Sequence, residues 1–180
     1  MEQTPEEPPP ITESPSEDPI EMHVKGLMLD PSSNAPIVVL HDGRDGLLLP
    51  IWIGAAEANA IALRLEGMSS PRPMTHDLLH AAIESLGGEV DKVEIVDLQE
   101  STFYAHILIR GVGEAAVRLD SRPSDAVALA LRSEAPIFVA RKVLEKADAF
   151  ALAASELTEE DRMRRQLEEL DADEPGKYTM

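Results

Sequence analysis

Two short stretches hold the residues best suited to chemistry. Arg72-Pro-Met-Thr-His-Asp77 and Asp120-Ser-Arg-Pro-Ser-Asp125 each set Arg-Pro ahead of a hydroxyl, an Asp and an apolar run. A residue before proline is pushed out of the helical region, so Arg72 and Arg122 are expected on extended backbone at the mouths of two helices. A guanidinium beside a helix N-terminus offers both charge and directed donors to a phosphate. Arg72 and Arg122 are therefore the candidate phosphate-binding residues, with the hydroxyls of Thr75 and Ser124 beside them. The competing reading pairs each arginine with the Asp that caps its own helix.

The acids and the histidine divide in the same way. Ser124 and Asp125 fall in a first helical turn, where they can accept orphan N–H bonds and oppose the dipole, worth roughly 0.5–2 kcal/mol. Asp120 and Asp125 could instead hold a divalent cation such as Mg²⁺, which proteins bind through one or two carboxylates plus substrate phosphate. His76 beside Asp77 could move protons near neutral pH, which cleavage of RNA through its 2′-hydroxyl can use without a metal. His76, Asp77 and Asp125 are thus the candidate catalytic residues. His80 completes H-D-L-L-H, but that helix is at its first turn and has no third ligand in sight, so zinc is set aside. Glu57 reads as a solvated first-turn acid, and Trp52, between Ile51 and Ile53, as a core or interface residue.

The elements that must position these groups follow from periodicity and turn chemistry. Apolar runs at 22–29, 37–41 and 47–53, separated by DPSSNAP and DGRDG, predict an antiparallel three-strand meander. An Ala-rich helix over 54–66 ends at Gly67, and a second over 75–86 carries Leu78, Leu79, Ala82, Ile83 and Leu86 as one stripe before Gly87-Gly88. Strands are predicted at 92–98, 102–109 and 114–119, a third helix at 123–132, a short strand at 136–140 and a last turn or two of helix at 141–147. The fold class is α+β: a mostly antiparallel or mixed sheet packed with three main helices, in one domain over 22–147.

Charge and composition narrow the functions. The formal charge of −18 divides into −7 for residues 1–21, −5 for 22–147 and −6 for 148–180. The domain therefore has no broad basic face for unspecific nucleic-acid binding, and any phosphate contact needs a local arginine. There is no cysteine, which excludes disulfides, thiolate metal sites and a cysteine nucleophile. No apolar run reaches membrane-spanning length, and no basic n-region precedes an apolar h-region, so the expectation is a cytoplasmic chain without a membrane association. The acidic, proline-rich stretch 1–21 is expected to be disordered. In the acidic tail at 148–180, Met163, Leu167 and Leu170 predict a short amphipathic helix.

The runs LPIWIGAAEANAIALRLEG, RPMTHDLL, FYAHILI and DSRPSDAVALALRSEAPIFV together resemble the bifunctional nuclease family, over about 22–147 and in that family's order and spacing. The resemblance implies an oligomeric α+β fold and a nuclease acting on both RNA and DNA. The third helix supports the oligomer separately: residues 126–131 leave no polar face, and a second subunit, a dimer on general frequency, would supply the missing layer. The alternative is a non-enzymatic oligomeric binding or regulatory module in which the same arginines and acids are only caps and salt bridges.

Overall fold

A computed structural model describes residues 18–43, 46–111 and 116–148. Its seven strands are β1 (Ile20–Leu29), β2 (Pro36–His41), β3 (Leu48–Trp52), β4 (Glu89–Gln99), β5 (Thr102–Arg110), β6 (Val117–Ser121) and β7 (Ile137–Val139). Its helices are α1 (Ala55–Leu65), α2 (Thr75–Ser85), α3 (Pro123–Ser133) and α4 at 141–148. The strands form one sheet in the order β3-β2-β1-β7-β4-β5-β6. The β4–β7 pair is parallel and the others are antiparallel. The fold is thus α+β with a mixed sheet.

The first three strands form the expected meander, with a bulge between Val24 and Gly26 in the β1–β2 pair. The early half of β1 pairs with β7, Ile20 opposite Val139, and the later half pairs with β2. Ile20 and Glu21, read from the sequence as tail, therefore belong to the sheet. The amphipathic segment expected after residue 148 and most of the N-terminal tail lie outside the described residues.

Alternation along the strands puts Val38, Leu40, Val93, Ile95, Ala105 and Ile107 on the face that meets the helices, where all are buried. The helix α3 lies at the centre of that layer. It packs on β4 and β5, with α1 on one flank and α2 on the other. Ala126 through Ala130 are all buried as a result. The second apolar layer required by the sequence is supplied by the chain's own helices, so α3 gives no reason for a partner subunit.

The helix α2 departs from its expected stripe. Its inward residues are His76 and Ile83, while Leu78, Leu79 and Leu86 are exposed. Gly87, at φ +80°, closes it in a conformation that side-chain-bearing residues seldom adopt. Among the described residues, no helix is long and apolar enough to cross a membrane.

Candidate functional site

The first turns of three helices meet through one chain of polar bonds. At the start of α3, Arg122 is the N-cap on extended backbone (φ −72°, ψ 146°), and Pro123 follows at the first helical position. Arg122 folds back on its own helix: Nε lies 2.8 Å from Asp125 Oδ2 and Nη2 lies 3.1 Å from Asp125 Oδ1. The same Nη2 is 2.7 Å from Glu57 Oε1, in the first turn of α1. Asp125 Oδ1 also accepts from His76, whose Nε2 is 3.1 Å away in the first turn of α2. A carboxylate can only accept, so Nε2 carries the proton, and Nδ1 is left as the acceptor whenever the ring is neutral.

These contacts set the electrostatics. Burial pushes the Asp125 carboxyl up, but the hydrogen bonds from Arg122 and His76 and their charges outweigh it and hold the carboxyl below its ordinary range. Arg122 is raised by its bonds to Asp125 and then Glu57. Its side chain remains 65% exposed, and its Nη1 has no partner among the described residues. The site thus presents a free guanidinium edge to solvent, with a histidine–carboxylate pair behind it.

Asp77 serves a neighbouring purpose. Its Oδ2 accepts the backbone N–H of Met74, the N-cap of α2, at 2.8 Å, and its Oδ1 accepts from Arg132 Nε. The Met74 bond foremost, then the arginine, outweigh burial and lower its carboxyl. Arg132 sits in the last turn of α3 with its side chain 7% exposed. It reaches back to donate Nη1 to Ala128 O at 2.8 Å and Nη2 to Ala60 O at 3.3 Å. One guanidinium therefore joins all three helices beside the His76–Asp125 bond.

Of the residues singled out in the sequence, the structure joins His76, Asp125 and Arg122, and it brings the two Arg-Pro helix starts together. Arg72 is not part of this: it lies exposed in the bend two residues before Met74, with no polar partner among the described residues. Its expected Asp partner is taken by Arg132. Thr75 is exposed and is not the cap, a place held by Met74. Ser124 is buried, and α3 has no side-chain cap bond, so its hydroxyl is not used for capping. Glu57 is not solvated: its side chain is only 15% exposed and pairs with Arg122. A Cβ built on Gly54 would stand 2.2 Å from Glu57 Oε2, so the glycine makes room for that carboxylate. Trp52 is not core. It is 56% exposed, with Nε1 donating to Asp30 Oδ2 at 3.2 Å.

Asp120 stands apart. It lies in β6 opposite His106 of β5, and strand alternation puts both on the face turned away from α3, whereas Asp125 is on the helix side. Both oxygens of Asp125 already accept hydrogen bonds. Among the described residues, no group of three or more His, Asp or Glu is placed to hold a metal ion. The two aspartates do not fit a shared Mg²⁺ site. Sequence reasoning missed Arg132, which reads as an ordinary basic residue at a helix C-terminus. The one available signal was its place at the end of an otherwise apolar helix.

The sequence profile of the bifunctional nuclease domain matches residues 38–151, which include every element of this network. The chain belongs to the bifunctional nuclease domain family. An uncharacterized protein of Mycobacterium tuberculosis is 39% identical over 163 residues, covering 88% of this chain and 97% of that protein. Bifunctional nuclease 1 of Oryza sativa subsp. indica is 30% identical over 112 residues, 61% of this chain and 34% of the rice protein. Bifunctional nuclease 1 of Arabidopsis thaliana is 27% identical over 132 residues, 72% of this chain and 40% of the plant protein. The stretch aligned with this chain therefore spans well under half of those plant proteins and nearly the whole length of the mycobacterial one.

Proposed function

We propose that this chain is a nuclease that cleaves phosphodiester bonds of RNA and DNA at the joined mouths of α2 and α3. The observation that carries this reading is the His76–Asp125 bond beside the free edge of Arg122. Arg122 Nη1 and the backbone N–H of Ser124 hold the phosphate and balance charge that builds on it in the transition state; Pro123 has no N–H, and those of Asp125 and Ala126 already donate to Arg122 O. His76 Nδ1, oriented by Asp125 through Nε2, takes the proton of the attacking hydroxyl: the 2′-hydroxyl in RNA, a water in DNA. Asp77 and Arg132 are positioning residues that fix the first turn of α2 and hence the imidazole. Membership in the nuclease family and the curated plant relatives named as nucleases support the same assignment.

A second reading is favoured by one observation. Each acid of the network already has a basic partner, as a purely structural joint would require. Incubating the purified chain with single-stranded RNA and DNA, with added Mg²⁺ and with EDTA, separates the two. Cleavage supports the nuclease. No cleavage under any of these conditions leaves a binding or regulatory module. Loss of cleavage in EDTA alone brings a divalent cation into the reaction.

A further inference from the structure

A cavity of about 340 Å³ opens beside Arg122, lined among others by Trp52, Gly54, Phe103, Arg122 and Ser124. Its volume is within the range of small-molecule sites, roughly 300–1,000 Å³. At one end are the first turn of the eleven-residue α3, the exposed Arg122 and the Ser124 hydroxyl. Ser124 is only 6% exposed, yet that hydroxyl bonds to nothing among the described residues. Its oxygen keeps contact with solvent, since His106 Nδ1 is the one fully buried side-chain N or O atom without a partner among the described residues, so a phosphate oxygen entering the cavity can reach the hydroxyl. The cavity also has two aromatic side chains. Trp52 is largely exposed, and Asp30, itself held by Ser32 and Ser33, fixes its indole through Nε1. An aromatic face held rigid and wet is the form a stacking platform takes.

We infer that this cavity is the nucleotide subsite of the proposed nuclease: Arg122 and Ser124 bind a phosphate, and an unpaired base stacks on Trp52 against Phe103. The inference rests on the nuclease reading and adds its substrate class, single-stranded nucleic acid. A base must leave its stack to lie on a protein aromatic, which a duplex resists. The charge of −5 over residues 22–147 fits, because a site that grips one nucleotide needs no basic track along a backbone.

Trp52 is the only tryptophan in the chain, so its fluorescence reports on the subsite directly. The full chain is titrated with a phosphorothioate-linked single strand, with a blunt duplex of the same sequence and with inorganic phosphate. Saturable quenching by the single strand alone is expected, weakened at least fivefold in Ser124→Ala. In cleavage assays Trp52→Leu should raise KM roughly five- to a hundredfold, the span of base–aromatic stacking, and Trp52→Phe should recover most of that loss. Cleavage by the wild type with no quenching, and with KM unchanged in Trp52→Leu, overturns the subsite and leaves the nuclease standing. Quenching without cleavage supports the subsite and removes the nuclease. Neither signal removes both. Fluorescence that follows protein concentration instead of the single strand would put a second copy over Trp52 and overturn the inference.

Discussion

His76 donates Nε2–H to Asp125 Oδ1 across 3.1 Å, between residues 49 apart in sequence. This bond turns two similar sequence stretches into one site. It also makes Asp125 answer to two helices at once.

Replacing Arg132 tests the support beneath that bond. Arg132→Met should destabilise the chain by about 3 kcal/mol, because it leaves Asp77 and two backbone carbonyls without their buried donor. Arg132→Lys should recover only part, since an ammonium cannot match the three directions of the fork. Urea denaturation of the two variants beside the wild type measures both. A cost below about 1 kcal/mol for Arg132→Met would show that the three helices hold together without it.

The first three strands and α3 were legible in the sequence because their signals are local: alternation, turn residues, and an apolar run opened by Arg-Pro. Glu57 was not, since its role depends on Arg122, which is 65 residues away and reaches it only after α1 packs on α3. Of the two places read for Trp52, core fails because apolar residues on both sides suggest a strand buried on both faces, whereas β3 is an edge strand with only Leu49 and Ile51 turned inward. In α2 the apolar stripe pointed to Leu78, Leu79 and Leu86. The bonds of His76 and Asp77 to α3 turn the helix otherwise and leave those leucines exposed.

Gly54→Ala tests the neighbouring support. The added methyl cannot share space with the Glu57 carboxylate, which must give up its place against Arg122. The expected cost is about 1 kcal/mol in stability, with a severalfold rise in KM for single-stranded substrate. Glu57→Gln, which keeps the shape and removes the charge, should raise KM less, and steady-state kinetics on the two variants give the comparison.

Acid should loosen the site in a defined direction. The Asp77 and Asp125 carboxyls are both lowered in the folded chain, so the unfolded chain takes up protons first as pH falls. Their contribution is complete above the unfolded value of about 3.9 and is lost as pH falls through the lower folded values. The gap in melting temperature between wild type and Asp125→Asn should therefore shrink as pH falls below about 4. A gap that widens below about pH 4 would contradict the assigned partners.

The central claim is that the His76–Asp125 pair moves a proton during cleavage. The most direct measurement is kcat/KM on single-stranded RNA for wild type, Asp125→Asn and His76→Gln, with thermal melts on the same preparations. Asn at 125 keeps an oxygen for His76, so its stability cost should stay near 1 kcal/mol or below. Loss of general acid–base catalysis should lower kcat/KM by about a hundred- to ten-thousandfold in both variants. Variants that melt near the wild type and cleave at its rate would contradict the account, leaving the bond as a clasp between α2 and α3.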